Sequence, residues 1–229
     1  AINFQLGGAA TALLERDISG ASARLLRGQI HVGDVGAAPV LPASGLQARV
    51  QLPVLDLDAW ASLLPDGPEP EPAASGNAAA SSSWTEWLPQ QLTLKAAEVK
   101  RHGRTLHDVS MQLNRAGKVW TNQLQARELA GRIDYHEASP QEPGGLVVAK
   151  LSRLTVPDGP DNGLDNATAS PDSSVRELPA LQISVENFQL GKRSLGSVDV
   201  QARNRWLTAG PGLREWELSR FNITTPEAV

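Results

Sequence analysis

The sequence contains no cysteine, and this absence removes several classes of chemistry. No disulfide can cross-link the fold, and neither a thiol nucleophile nor a thiolate metal site is possible. The cellular compartment is left open by this count, because proteins without cysteine occur in reducing and in oxidising surroundings alike.

Long apolar runs and aromatic residues are also scarce. No stretch of about 18 apolar residues occurs, and residues 1–4 are typical of the middle of a strand and not of a signal peptide. We therefore expect the chain to be a fragment of a longer protein. Aromatic residues make up 4% of the chain and hydrophobic residues 41%, so we expect an aliphatic lining on any shared apolar surface.

Positive charge is not in excess. The formal net charge is -4 and the pI is about 5.6, whereas proteins that bind nucleic acid carry a basic face that displaces counterions from the phosphates. The composition therefore predicts no nucleic-acid partner.

Two low-complexity stretches divide the chain, because segments rich in Pro, Ala, Ser, Asp and Asn bury too little apolar surface to offset their ordering entropy. The predicted parts are a β segment that ends in a short helix (1–64), a loop (65–83), a β repeat (84–156), a second loop (157–177) and a truncated second copy of the repeat (178–229).

Outside these loops the dominant pattern is alternation of apolar and polar residues, which places apolar side chains on one face of a strand. Residues 46–52 and 109–113 show it most clearly. The alternation also repeats at an offset of 89 residues, and residues 103–106 and 192–195 lie where a hairpin turn belongs. Each copy is therefore predicted to contain a β-hairpin.

An irregularity recurs in both copies. The segments 151–156 and 218–223 both begin Leu-Ser-Arg, and in both the apolar positions change parity after the Ser-Arg pair. A one-residue β-bulge would return the apolar residues to one face, so we predict a bulge in each copy.

A single segment departs from the β pattern. Asp56 is a plausible N-cap, Leu57, Trp60, Leu63 and Leu64 recur at helical spacing, and Pro65 ends the run. Together with roughly a dozen strands, this predicts a mainly β fold: a curved antiparallel sheet that forms an open apolar groove, with one short helix and two long loops.

The ordered motifs resemble a known family. They are Leu52-Pro-x-Leu-Asp-Leu-Asp-x-Trp60, Gly103-Arg-x-Leu-His-Asp-Val109, Leu151-Ser-Arg-Leu-x-Val-Pro157, Leu178-Pro-Ala-Leu181 and Thr225-Pro-Glu-Ala228. Their order over residues 40–229 resembles the YhdP family, which is AsmA-like and related to the TamB and AsmA proteins with repeating β-groove units.

The resemblance implies a function. It implies a non-enzymatic conduit in the periplasm of a Gram-negative envelope, which shields phospholipid acyl chains between inner and outer membranes. It also implies an inner-membrane anchor outside this fragment and contact with outer-membrane or periplasmic proteins. On this interpretation the helix is a crossing or capping element, and the predicted lipid-binding groove consists of Leu92, Leu94, Ala96, Val109, Met111, Leu113, Leu124, Leu181, Ile183, Val185, Val198 and Val200.

Other chemistry has weak signals in the sequence. His102 and His107 flank a predicted turn and are either a metal site or exposed turn residues. The aspartates of residues 158–172 are either cation ligands or a solvated linker, and they lack the order of a calcium loop. No nucleophile elbow, phosphate loop or His-Glu-x-x-His motif occurs, so we predict no catalytic residue, no metal and no cofactor.

The six tryptophans leave two alternatives open. Trp84 and Trp87 follow the first loop and either touch a membrane or groove, or pack at the rim with the indole N–H satisfied.

The alternation itself also fits a β-sandwich scaffold that binds protein or glycan partners, with its apolar face closed into a dry core.

Overall fold

The computed structural model describes residues 1–19, 24–63, 88–139, 142, 144–157, 178–206 and 214–225. These described residues form twelve strands and one helix, and the strand order in the open sheet is the order in the sequence. The elements are β1 (Ile2–Leu6), β2 (Ala10–Asp17), β3 (Arg24–Gly33), β4 (Gly45–Asp56), α1 (Leu57–Leu63), β5 (Gln91–Arg101), β6 (Arg104–Ala116), β7 (Val119–Gln125), β8 (Leu129–His136), β9 (Leu146–Val156), β10 (Ala180–Leu190), β11 (Arg193–Trp206) and β12 (Arg214–Thr224).

The chain divides into two compact units. The first unit is Ala1–Asn114 and the second is Arg115–Val229, so the division falls near the end of β6. The prediction of a mainly β chain with an open sheet and one short helix is confirmed. Most residues of the two predicted loops, with Trp84 and Trp87 and the aspartates of 158–172, lie outside the described residues.

The sheet was predicted to be antiparallel, but it contains both antiparallel and parallel strand pairs. Hairpin neighbours are antiparallel as predicted, but β3 with β4, β4 with β5, and β9 with β10 run parallel. These three pairs are joined by the longest connections in the chain, residues 34–44, 57–90 and 157–179. A parallel pair needs a long crossover that returns the chain to the same end of the sheet, so connection length and pairing direction agree.

The predicted repeat is confirmed in the strand register. Leu92 pairs with Leu113 in the β5–β6 hairpin, and Leu181 pairs with Ala202 in the β10–β11 hairpin, each partner shifted by 89 residues. The strand before each hairpin is also equivalent, since Leu52 lies beside Ala96 and Leu151 beside Val185 in parallel pairs. The repeated element therefore has three strands, a parallel pair followed by a hairpin.

Both predicted bulges are present. In β9 the register against β8 shifts so that Ser152 is the extra residue, and in β12 the register against β11 shifts so that Ser219 is extra. The two serines make equivalent hydrogen bonds, since Ser152 Oγ donates to the Ala130 carbonyl oxygen at 3.3 Å and Ser219 Oγ donates to that of Gln201 at 3.2 Å. Each bulge is thus held to the neighbouring strand by its own side chain.

Helix α1 begins at the predicted cap. Asp56 Oδ1 accepts hydrogen bonds from the backbone N–H groups of Asp58 and Ala59 at 3.0 and 2.9 Å. These are donors that the first turn of a helix leaves without an intrahelical partner. The helix is seven residues long, and no helix in the described ranges is long and apolar enough to cross a membrane.

The polar face of β3 is covered by the connection to β4. The backbone N–H of Val40 donates to Gln29 Oε1 at 2.6 Å, and His31 Nδ1 lies 2.9 Å from the Ala37 carbonyl oxygen. Gln29 and His31 are consequently buried although they lie on the polar side of the strand. This crossover leaves the opposite, apolar side of β3 free of the connection.

Candidate functional site

The first unit has one continuous apolar face, which we define by register rows that cross its six strands. Residues that are direct cross-strand partners point to the same side of a sheet. One row is Phe4, Ala12, Ile30, Ala48, Leu92 and Leu113, and the next is Leu6, Ala10, Val32, Val50, Leu94 and Met111. Neither row contains a polar side chain.

The opposite face of the same strands is polar. The row between the two apolar rows is Gln5, Thr11, His31, Arg49, Thr93 and Gln112. The contrast shows that the alternation in the sequence is a property of the whole first unit, and that it extends to β1, β2 and β3.

The second unit repeats this arrangement. Its rows on the apolar face are Ile133, Ala149, Ile183, Val200 and Phe221, and Gly131, Leu151, Val185, Val198 and Ile223. Four of these residues form a buried cluster that Ile133, Ile183 and Val200 pack against. Phe221 is 58% exposed, so the face is not sealed by described residues at β12.

Each unit has irregularities in its strands that keep its apolar residues on one face. The apolar spacing there changes from two residues to three: Leu52 to Leu55 and Ala96 to Val99 in the first unit, and Leu151 to Leu154 and Val185 to Phe188 in the second. Leu154 and Phe188 pack against the same cluster as Leu151 and Val185. The bulges therefore extend the apolar face where strict alternation would have ended it.

All twelve predicted groove residues lie on the apolar face of their unit. Leu124 completes the set, since it is opposite Gly131 in the row of Leu151 and Val185. Half of the twelve are buried, namely Leu94, Ala96, Val109, Leu124, Val185 and Val198. The structure thus brings the predicted residues together on a common side in each unit, while their role as a lipid-binding groove stays a prediction.

Helix α1 lies over part of the apolar face in the first unit and borders a partly open pocket of about 450 Å³. We call this cavity the α1 pocket. Its lining is Val32, Val50, Leu55, Leu57, Asp58, Trp60, Ala61, Leu92, Leu94, Arg101, His102 and Met111. The volume is within the range of small-molecule sites, roughly 300–1,000 Å³.

The helix is hydrogen-bonded to the β5–β6 turn. Asp58 Oδ2 accepts a hydrogen bond from the backbone N–H of His102 at 2.6 Å, and Asp58 Oδ1 lies 3.5 Å from His102 Nε2. His102 therefore pairs with a carboxylate of the helix. No group of three potential metal ligands occurs in the part of the chain that the structure describes.

Two tryptophans of the second unit have their indole N–H groups satisfied. Trp120 Nε1 donates to Glu137 Oε1 at 2.8 Å, and Arg115 stacks over the same indole with its guanidinium carbon 4.8 Å from the ring centroid. Trp216 Nε1 donates to the Pro179 carbonyl oxygen at 3.1 Å. Both residues act as packing anchors near the start of a strand.

Sequence reasoning missed part of this site. Val32, Leu55 and Arg101 line the α1 pocket and were not among the predicted groove residues. A signal existed for Leu55, because the parity change between Leu52 and Leu55 is the same as that between Leu151 and Leu154. No comparable signal existed for Arg101, whose place in the pocket depends on how the hairpin and the helix meet.

These features define a class of protein: a β-sheet protein whose units each present one apolar face, built mainly of aliphatic side chains. A family model described as YhdP protein matches residues 1–229, and the chain belongs to the YhdP family. The searches of curated proteins and of solved structures gave no match.

Proposed function

We propose that this chain is a segment of a non-enzymatic lipid conduit, whose apolar faces shield phospholipid acyl chains between the inner and outer membranes. The observation that carries the proposal is the set of continuous apolar rows in each unit, and membership in the YhdP family supports it. On this proposal the protein works in the periplasm and is anchored to the inner membrane outside this segment.

The energetics of such a face suit an acyl chain. Each methylene removed from water is worth about 0.8 kcal/mol. A chain with about eight of its methylenes covered would therefore gain on the order of 6 kcal/mol without any directed contact. Aliphatic side chains also impose little geometric preference on a sliding chain, whereas selective pockets combine aromatic walls with a few placed polar groups.

The alternative is a β-sandwich scaffold for protein or glycan partners. In a sandwich a second sheet packs about 10 Å from the first and buries its inner face. In the first unit Phe4 is 54% exposed and Leu6 60% exposed on the apolar face. No second sheet of described residues packs on either apolar face, which favours the conduit.

The test is photo-crosslinking in cells that carry the full-length protein. The photoreactive residue p-benzoyl-L-phenylalanine is placed at Leu113 or Val200 on the apolar faces, and at Gln112 or Gln201 on the polar faces as neighbouring controls. We expect mass spectrometry to find phospholipid adducts at Leu113 and Val200 and none at the controls. Adducts with protein alone at the apolar positions would favour the scaffold, and equal lipid labelling of both faces would contradict the conduit.

A further inference from the structure

The α1 pocket has polar side chains at one end only. Its body is apolar, with Trp60 of the helix on one side and aliphatic side chains of the strands on the other. The polar lining comes from Asp58 of α1 and from Arg101 and His102, at the end of β5 and in the turn that follows it. A site of this kind is amphipathic, with a chain-sized apolar cavity that ends beside charged groups.

Arg101 has a second arginine directly beside it. Arg101 and Arg104 are cross-strand partners that close the β5–β6 hairpin. Directly opposite side chains lie about 5 Å apart at Cβ, and like charges in such a pair are destabilising. Both arginines continue the apolar rows, since Val99 is two residues before Arg101 and Leu106 two residues after Arg104.

The nearby carboxylates are engaged elsewhere. Asp58 pairs with His102, and Glu98 pairs with Lys100 at 3.3 Å. Among the described residues neither Arg101 nor Arg104 has an acidic partner. Within the described residues the two guanidinium groups therefore have no ion-pair partner, and Asp58 at the same end of the α1 pocket is bonded to His102.

The second unit shows that the fold does not require this pair. The positions equivalent to Arg101 and Arg104, 89 residues later, are Leu190 and Arg193, which pair in the same register. One arginine is retained at the second hairpin, but the like-charge pair is absent there. The Arg101–Arg104 pair is accordingly a feature of the first unit, where Arg101 lines the α1 pocket and Arg104 is its cross-strand partner.

We propose that Arg101 and Arg104 bind the anionic headgroup of a lipid whose acyl chain occupies the α1 pocket. The inference rests on the proposed function and adds to it a fixed headgroup site on a face otherwise built for sliding chains. The matching chemistry is a phosphate or carboxylate, because the guanidinium fork binds planar or tetrahedral oxyanions through paired charge-assisted hydrogen bonds. The acyl chain of the lipid supplies the apolar contact, and its headgroup supplies the negative charge that complements the two arginines.

The experiment uses the 229-residue chain and soluble twelve-carbon amphiphiles that differ only in headgroup. Dodecyl phosphate, dodecyl maltoside and dodecyltrimethylammonium are titrated below their micelle concentrations by calorimetry, with inorganic phosphate as the probe without a chain. The variant is Arg101→Gln with Arg104→Gln, and the matched control is Arg193→Gln. Circular dichroism verifies that the variants retain the β signal.

We expect dodecyl phosphate to bind about tenfold more tightly than dodecyl maltoside, since hydrogen bonds to a charged group are each worth about a factor of ten or more. The double variant should lose that tenfold preference and keep its maltoside affinity, while Arg193→Gln changes neither. Inorganic phosphate alone should bind at least a hundredfold more weakly.

Other outcomes overturn the inference in distinguishable ways. If the double variant binds dodecyl phosphate as tightly as the original chain, or Arg193→Gln weakens it equally, the headgroup site is wrong and the conduit stands. If inorganic phosphate competes as well as dodecyl phosphate, the site binds a free anion and not a lipid. If no amphiphile binds, the proposed function fails together with the inference.

Discussion

At the residue scale, Gly131 is tightly constrained by the backbone of the neighbouring strand. It lies opposite Leu151 beside the first bulge and has a φ of +150°. A Cβ there would lie 2.3 Å from the Lys150 carbonyl oxygen and 2.6 Å from the Leu151 Cα. Backbone atoms cannot yield as a flexible side chain can, so β8 and β9 require a residue without a side chain at this point.

We therefore predict that Gly131→Ala lowers the free energy of unfolding by about 2–4 kcal/mol, the sum of a disfavoured φ and a backbone clash. The control is Gly117→Ala, which has a φ of +59° and no atom within 4 Å of the added Cβ. It should cost about 1 kcal/mol from the backbone alone. Urea denaturation measures the free energy of unfolding of both variants. Equal losses would show that the close approach of the Lys150 and Leu151 backbone to Gly131 does not contribute to the cost.

At the element scale, the strand faces were predictable and the strand directions were not. Alternation gives the face of a residue such as Met111 from sequence alone, and the repeated Leu-Ser-Arg segments predicted both bulges. A strand with one apolar face has the same pattern in a parallel or an antiparallel pair, so nothing in residues 45–56 indicates that β4 runs parallel to both neighbours. That direction is decided by the crossovers.

The bulge at Ser152 leads to a prediction about the length of β9. Deleting Ser152 removes the extra residue from β9, while β10 keeps its three-residue spacing from Val185 to Phe188. Leu154 and Val156 would then lose their register with Phe188 and Leu190 of β10. We expect a loss on the order of 3–5 kcal/mol, because β9 would lie one residue out of register with β10 beyond Leu151, which removes the packing of Leu154 against the buried cluster.

The matched control keeps the residue and removes its hydroxyl. Ser152→Ala loses a single hydrogen bond of 3.3 Å to the Ala130 carbonyl oxygen, for which about 0.5–1 kcal/mol is expected. Thermal unfolding followed by circular dichroism compares the two variants. A deletion no more harmful than the alanine substitution would mean that β9 and β10 pair equally well without the extra residue and that the bulge does not fix their register.

The candidate site shows the same division between what sequence predicts and what it does not. The groove residues of β5, β6, β10 and β11 followed from parity and the 89-residue repeat. The Arg101–Arg104 pair could not be predicted in this way, because it depends on the hairpin register. The contact between Asp58 and His102 could not be predicted either, since it joins residues that are 44 positions apart across the 64–90 connection.

At the scale of the whole molecule, the question is whether the apolar faces are open to lipid or sealed as a core. A carboxylate introduced into a sealed core would be buried without a partner, which costs several kcal/mol and exceeds much of the stability of an ordinary domain. On an open face the same group reaches water. Met111 and Val200 suit the test, because both are predicted groove residues, occupy equivalent repeat positions and are only partly buried.

We predict that Met111→Asp and Val200→Asp each retain a cooperative melt and lose about 1–2 kcal/mol, the value of a partly covered apolar side chain. In the full-length protein either change should interrupt the continuous apolar path, since a passing acyl chain would meet a hydrated charge, and lipid supply to the outer membrane should fall. Gln112→Asp, on the exposed polar side next to Met111, is the control and should leave both readouts unchanged. If both apolar substitutions abolish folding, the faces are sealed cores and this segment does not carry lipid.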